Sequence, residues 1–275
     1  MNKINDECYN FKEINYNNGI LDEIIDCTYV VHLEGRPLRL ERINYQLNKY
    51  NLSKKVFILF CKGFKKCKNN NNIKVIAHDL IESNFYIFEH AKKNNYNNIL
   101  ILEDDFILDE KIKNKNNINK IKNFFNKKKN ESFVYSLGGI PYIAIPLYYD
   151  SYTWYSPKII TSHAIIFTKE FREKLFNIGL NNIIEKNMGW DTELLSSSYF
   201  YYKVLAYQTL DDTDHRKTWS WPLLNTLMNL LKLDTEPKFG FRLLNYLAKL
   251  LFILLLFIFI LFMYFLYKKI IKIKK

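Results

Sequence analysis

Three consecutive carboxylates, Glu103, Asp104 and Asp105, directly follow a run of four Ile and Leu residues at 99–102. A short apolar run without alternation is typical of a strand buried on both faces, as in the centre of a parallel sheet. Acids at the C-terminal end of such a strand lie in the crevice where open α/β sheets bind ligands. They repel one another unless a cation lies among them, and their oxygens suit Mg²⁺ or Mn²⁺. A solvated acidic loop is the alternative.

A second group of charged residues lies around a Gly- and Pro-containing turn at 34–37. Arg36, Arg39 and Arg42 surround the start of a predicted helix that follows an apolar strand at 26–33. Backbone N–H groups and the helix dipole favour phosphate at such a place, and guanidinium groups add paired hydrogen bonds. The turn therefore suits an anionic ligand, although arginines at a surface helix start are also common.

Together, the basic turn and the acids resemble glycosyltransferase family 25, the group of lipopolysaccharide glycosyltransferases and procollagen galactosyltransferases. That family opens with an apolar strand ending Asn-Leu, a basic turn and Asp-Arg-Arg-Glu-Arg. The matching positions here are Leu33, Arg36, Arg39, Glu41 and Arg42. His32, Leu38 and Leu40 replace the family's Asn, Asp and one Arg. The family's second mark, a helix followed by an apolar strand ending Glu-Asp-Asp, is similar to residues 89–106.

The resemblance implies a nucleotide-diphosphate-sugar transferase with a GT-A fold, an α/β, Rossmann-like mixed sheet flanked by helices. It implies a UDP-hexose donor, inversion at the anomeric carbon, and a glycan, lipid-linked or protein acceptor. Mn²⁺, or Mg²⁺, would neutralise charge on the departing diphosphate. The residues implied in nucleotide-sugar binding are His32, Leu33, Arg36, Arg39, Glu103 and Asp104. The residues implied in metal binding are Glu103, Asp105 and His215.

Asp191 is the predicted catalytic base, because an inverting transferase needs a carboxylate to take the proton from the acceptor hydroxyl. The alternative is a helix N-cap at the same residue. Four side chains are predicted to contact the acceptor: Tyr152, Trp154, His163 and Trp190. Core packing is the competing interpretation for Tyr152 and Trp154. The orienting of a strand end is the competing interpretation for His163. A solvated loop residue is the alternative for His215.

The elements that position these groups alternate along the chain as strand, helix, strand, helix and acidic strand, which indicates a doubly wound sheet. Strands are predicted at 26–33, 56–61, 73–77, 133–137, 159–167 and 199–208. Helices are predicted at 39–52, 79–95 and 168–176, the last capped by Thr168. Residues 109–130 are interpreted as a surface helix or excursion, and residues 142–155 as a loop.

Bulk composition restricts the class of protein. The 275 residues suffice for one large α/β domain, and a hydrophobic content of 48% excludes wholesale disorder. The net charge of +12 comes mostly from Lys, but no basic cluster interleaves with aromatics, so nucleic-acid binding is not predicted. The four cysteines, Cys8, Cys27, Cys61 and Cys67, are expected to be reduced thiols, with a Cys61–Cys67 disulfide as the alternative. Reduced thiols suit a cytosolic domain.

An uncharged apolar run at 250–267 predicts a single-pass membrane helix near the C-terminus. The predicted divisions are a polar segment at 1–25, a GT-A domain at 26–218, an amphipathic connector at 219–242, a transmembrane helix at 243–267 and a basic tail at 268–275. The catalytic domain is expected to be cytosolic, although the basic tail would also prefer that side. A re-entrant or surface-lying helix would reconcile the two.

Two other classes of function fit the same residues. The acids at 103–105 and 211–214 could serve a metal-dependent nuclease or phosphatase. A degenerate transferase domain acting as a membrane adaptor is the non-catalytic alternative, and the replacements at His32 and Leu38 keep it open.

Overall fold

The computed structural model describes residues 6–67, 73, 75–195, 198–209, 226 and 228–273. Short apolar runs form the strands of a mixed α/β fold. The strands are β1 (Tyr9–Asn15), β2 (Cys27–Leu33), β3 (Lys55–Cys61), β4 (Ile99–Glu103), β5 (Phe106–Leu108), β6 (Val134–Ser136), β7 (Ile140–Pro141), β8 (Ile145–Leu147), β9 (Asp150–Ser156), β10 (Ile159–Ile160), β11 (Ala164–Phe167), β12 (Ser198–Tyr201) and β13 (Ala206–Gln208). Nine of them, within the described residues, form one sheet in the order β1-β3-β2-β4-β11-β6-β12-β9-β8.

Three parallel strands set the position of the acids. β2 lies between β3 and β4 and runs parallel to both, with Val31 opposite Glu103. The carboxyl ends of these strands therefore meet at one edge of the sheet. β11 runs antiparallel to β4 on its other side, so the start of β11 lies at this same edge. Two small sheets, β5 with β13 and β7 with β10, complete the pairing.

Helices cover both faces of the sheet because alternate residues of the central strands point to opposite sides. The helices are α1 (Pro37–Tyr50), α2 (Ile76–Lys93), α3 (Lys115–Lys127), α4 (Lys169–Ile178), α5 (Leu180–Glu185) and α6 (Pro237–Ile273). In β4, Leu100 and Leu102 pack with α1 and α3. Ile99 and Ile101 pack with α2, α4 and α5. Thr168 caps α4 as predicted, and its hydroxyl accepts from the N–H of Phe171.

The structure differs from the predicted elements at several places. The polar segment at 1–25 contains β1, which pairs with β3 along its whole length, so the sheet begins before residue 26. The strand predicted at 73–77 is absent from its described residues, because α2 already begins at Ile76. The loop predicted at 142–155 contains the β8–β9 hairpin. The strands predicted at 159–167 and 199–208 are each broken into two.

The cysteine prediction is wrong for two of the four residues. Cys8 and Cys67 form a disulfide, while Cys27 and Cys61 are free and buried. The bond joins the residue before β1 to the turn after β3, 59 residues later in the chain. Disulfides persist in oxidising compartments, so the reduced-thiol argument for a cytosolic catalytic domain no longer holds.

The apolar C-terminal run is part of α6, a helix of 37 residues. Its mean hydropathy reaches 3.0, and by length and composition it is a candidate membrane anchor. The helix starts six residues before the predicted span and continues into the basic tail. Its first part, including Ala248 and Phe241, is buried against the rest of the fold. Only the part beyond Lys249 leaves the globular domain.

Candidate active site

The middle acid, Asp104, contacts residues of β2 and α1. Its carboxylate accepts a hydrogen bond from Arg39, and His32 Nδ1 and the N–H of Leu33 lie 3.4 Å from its Oδ2. Burial alone would raise the pKa of Asp104, but the His32 ring beside its Oδ2 and the charge and hydrogen bond of Arg39 bring that pKa below its usual value. Asp104 is therefore an ionised group that ties β2 and α1 to the end of β4.

Arg39 is buried against the acidic turn. Its guanidinium pairs with Asp104 and lies 3.8 Å from Asp105 Oδ2, and only 9% of the residue is exposed. These contacts give Arg39 a role in positioning the acidic turn. Its implied contact with the nucleotide sugar stays a prediction.

Asp105 is held from the β13 side. Gln208 Nε2 donates to its Oδ2 at 3.0 Å, and the N–H of Thr209 donates to its backbone carbonyl at 3.0 Å. Arg42 in turn donates to the hydroxyl of Thr209 at 2.6 Å. The acidic turn is therefore held by the small β5–β13 sheet as well as by β2 and α1.

Glu103 differs from Asp104 because its pKa is raised. Burial and the negative charges of Asp105, Asp191 and Asp104 raise the pKa of Glu103 to about 8. The hydroxyl of Ser162 donates to its Oε1 at 2.5 Å and opposes that shift. Like charges gathered at one place are relieved by a proton or by a cation.

Asp191 is brought to the same region by residues 161–163, which we call the elbow. The N–H of Thr161 donates to Asp191 Oδ2 at 3.0 Å, one residue before Ser162 contacts Glu103. Thr161 has a φ of +70°, which is unusual for a β-branched residue and marks a strained turn. The elbow interrupts the run from β10 to β11 and joins the two carboxylates.

Two glycines make room for the elbow. A Cβ on Gly138 would collide with the Ala206 carbonyl and lie 2.8 Å from His163 Nε2. A Cβ on Gly139 would collide with Ile159 and lie 3.2 Å from the Thr161 carbonyl. Close packing around Gly138 and Gly139 therefore supports the strained turn at Thr161.

Removal of the Ser162 hydroxyl is expected to disturb Glu103 without unfolding the domain. Ser162→Ala should reduce turnover of a nucleotide sugar by about tenfold, because a hydrogen bond to a charged group contributes about 1.5–3 kcal/mol. Ser162→Thr keeps the hydroxyl and serves as the matched control. Equal steady-state rates for Ser162→Ala and the unchanged protein would contradict this positioning role.

A pocket of about 370 Å³ opens beside the acids. It is lined by His32, Glu34, Gly35, Arg36, Pro37, Leu40 and Phe60. His32 connects it to the acidic turn through Asp104, and the ring of Phe60 lies edge-on to His32, with the centroids 5.4 Å apart. None of the three acids lines the pocket, and the buried His32 is the residue that lies both in its lining and against Asp104.

None of the four predicted acceptor residues lines this pocket. His163 lies at the acids, where its carbonyl accepts from the N–H of Glu103 at 3.1 Å, but its ring is fully buried beside Phe241. Burial lowers the pKa of His163 to about 4, so its ring is neutral. Trp190 is 6% exposed and packs on Phe167. Tyr152 and Trp154 are on β9, four strands away from β4 or about 19 Å across the sheet. Contact of these four residues with an acceptor stays a prediction.

The described residues contain no group of three His, Cys, Asp or Glu side chains arranged to hold a metal ion. Glu103 and Asp105 nonetheless have the hard oxygen donors and the mutual repulsion that suit a divalent cation. The third predicted ligand, His215, lies outside the described residues. The two carboxylates therefore fit a cation chemically and supply part of a coordination shell.

No protein-family profile matches the chain, and no curated protein matches it. Among solved structures, A197 from STIV is similar with 14% identity and a TM-score of 0.39 over 67% of this chain and 85% of that one. A glycosyltransferase involved in the glycosylation of the major capsid of PBCV-1 has 11% identity and a TM-score of 0.33. That similarity covers 59% of this chain and 66% of the glycosyltransferase.

Proposed function

We propose that this chain is a membrane-anchored glycosyltransferase that takes a hexose from a UDP-sugar and passes it to a glycan, lipid-linked or protein acceptor. The observation that carries the proposal is the position of His32, which lines the pocket and lies 3.4 Å from Asp104. Arg36 lines the same pocket, and Glu103 and Asp105 flank Asp104 in the chain. An arginine near a pair of carboxylates suits a diphosphate that is bound together with a cation.

In this proposal two groups of residues at the ends of the parallel strands bind different parts of the donor. The pocket would take the nucleotide, with Phe60 and Leu40 offering apolar surface and Arg36 offering its guanidinium to a phosphate. Glu103 and Asp105 would hold Mn²⁺ or Mg²⁺, which neutralises the charge that develops on the leaving diphosphate. Binding of the cation would displace the proton that the raised pKa of Glu103 otherwise retains.

Asp191 would accept the proton from the acceptor hydroxyl during attack on the anomeric carbon. The N–H of Thr161 holds one of its oxygens, which orients the carboxylate toward the side of Glu103. Hydrogen bonding by one oxygen leaves the base fixed in direction, as a general base requires. Inversion at the anomeric carbon, which the family resemblance implies, is part of the proposal.

The test is a donor screen with the full-length protein in lipid nanodiscs. Each UDP-hexose is incubated with Mn²⁺, with Mg²⁺ or with EDTA, and released UDP and the mass of any product are measured. We expect UDP release from at least one donor, lost in EDTA and in Asp105→Asn. Cleavage of a phosphodiester substrate without any nucleotide sugar would instead support a phosphodiesterase. Absence of metal-dependent UDP binding in calorimetry would support the non-catalytic adaptor.

Arg36 offers a separate test of donor binding. Arg36→Ala is expected to raise KM for the UDP-hexose about tenfold with a smaller change in kcat, because the lost contact with the diphosphate exists before and during transfer. Tyr45→Ala, at an exposed residue on α1 away from the pocket lining, is the control and should change neither constant. A KM that stays unchanged in Arg36→Ala would place the diphosphate elsewhere.

A further inference from the structure

The first turns of α6 are fixed to the globular domain rather than hanging from a flexible linker. Arg242 Nη2 lies 2.9 Å from Asp109 Oδ2, and its Nε donates to the hydroxyl of Tyr207 at 3.0 Å. Phe241 is 1% exposed and packs against Tyr207 and His163. A helix held by an ion pair and a buried aromatic keeps one direction relative to the sheet.

Toward the end of its buried part, α6 contacts the domain at Ala248 and Lys249. The N–H of Ala144 donates to the Ala248 carbonyl at 3.2 Å, and Lys249 Nζ donates to the Tyr202 carbonyl at 2.6 Å. From residue 250 to residue 271 nearly every side chain is exposed. At ~1.5 Å per residue this part extends about 33 Å, close to the ~30 Å thickness of a hydrocarbon core.

The surface around this exit has the composition of a membrane interface. We define the exit face as Pro146, Trp154, Tyr202, Lys203 and Lys249. Lys249 Nζ lies 5.1 Å from the centre of the Trp154 ring, and Lys203 Nζ lies 4.9 Å from the centre of the Tyr202 ring. Trp and Tyr concentrate at the headgroup level of membrane proteins, and Lys reaches toward lipid phosphates.

We propose that the exit face lies in the headgroup layer of the bilayer that α6 enters, so that the domain is docked on the membrane in one orientation. This proposal rests on the membrane anchor in the proposed function but not on transferase activity. Its occupant is an anionic lipid surface, since Lys203 of the face would pair with lipid phosphate, while Lys249 donates to the Tyr202 carbonyl and supports the face from within. The role that the sequence suggested for Trp154, stacking on an acceptor, is replaced by contact with lipid.

Docking in one orientation also fixes the distance of the acids from the lipid headgroups. From Asp105 to Asp109 the chain follows β5 for at most about 14 Å, and Asp109 is ion-paired with Arg242. From Arg242 to Lys249 the helix rises about 11 Å. The acids therefore lie within a few tens of ångströms of the headgroups, along a path made of β5, the Asp109–Arg242 ion pair and α6.

Spin labels on single introduced cysteines test the docking in nanodiscs that contain phosphatidylglycerol. Pro146→Cys and Lys203→Cys report the exit face, and Lys12→Cys on β1 is the matched control at the opposite edge of the sheet, about 38 Å away. Phe257→Cys reports insertion of α6. The native free cysteines are buried and the other two are bonded, so they do not compete for label.

We expect labels at 146, 203 and 257 to be relaxed by a nickel-chelating lipid or by oxygen more than by aqueous nickel, and the label at 12 to show the reverse. Equal aqueous accessibility at 146, 203 and 12 with a protected label at 257 would overturn the docking and leave the anchor intact. An exposed label at 257 would overturn both. UDP release, measured separately, fails or succeeds independently of these signals.

Discussion

Asp191→Asn is expected to lower kcat for UDP-hexose transfer by about 10²–10⁴-fold and to leave KM for the donor nearly unchanged. A base that takes a proton only as the new bond forms contributes to the transition state and not to donor binding. The side-chain amide keeps an oxygen that can accept from the N–H of Thr161, so the elbow keeps its support.

The control is Glu193→Gln, which changes an exposed carboxylate two residues away. Both variants should unfold at the same temperature as the unchanged protein, measured by circular dichroism of the full chain in nanodiscs. The rates come from UDP release in the presence of Mn²⁺. A loss of kcat shared by Glu193→Gln, or a full rate in Asp191→Asn, would remove Asp191 from the role of base.

The central strands and the acids could be predicted from sequence because their information is local. The uninterrupted Ile and Leu run of β4 needs burial on both faces, and the three acids that follow it can only lie at the carboxyl edge. The turn at 34–37 and the helix after it follow from Gly, Pro and a regular apolar period. These two local patterns were enough to predict the sheet edge at which the pocket opens.

The elbow could not be predicted in the same way. Residues 159–167 have the apolar composition of one strand, and the break at Thr161 depends on Asp191, 30 residues later. Ser162 has no local signal that would connect it to Glu103. Gly138 and Gly139 were the available hint, since paired glycines after a strand often mark a close backbone approach.

Two other features of the structure have the same long-range origin. The Cys8–Cys67 bond joins residues 59 apart through the pairing of β1 with β3, and spacing alone does not reveal such a connection. Trp190 was predicted to face a sugar because it precedes a candidate base. In the structure its ring packs on Phe167, which shows that aromatic identity does not decide between a binding surface and the core.

Arg39→Met is expected to lower the free energy of unfolding by about 3–5 kcal/mol, because removal of one partner leaves the other charge buried and uncompensated. Asp104 is 8% exposed and Arg39 is 9% exposed, so water cannot replace the lost guanidinium. The loss should be greatest above the usual pKa of a carboxyl. As the pH falls through the lowered pKa of Asp104, protonation removes the charge, and the difference between the two proteins should shrink.

The double variant Arg39→Met/Asp104→Leu distinguishes two causes of destabilisation, a charge left buried without its partner and a loss of side-chain packing. It should recover most of the stability, because apolar side chains of similar size can replace a buried pair at little cost. Lys49→Met, on the same helix as Arg39, is the matched control. It breaks the exposed ion pair between Lys49 and Glu110 and should change the free energy of unfolding little. Guanidinium unfolding in micelles, followed by tryptophan fluorescence, gives the free energies of unfolding of the three variants. If Arg39→Met and Lys49→Met unfold at the same guanidinium concentration, the Arg39–Asp104 pair does not hold the acidic turn in place.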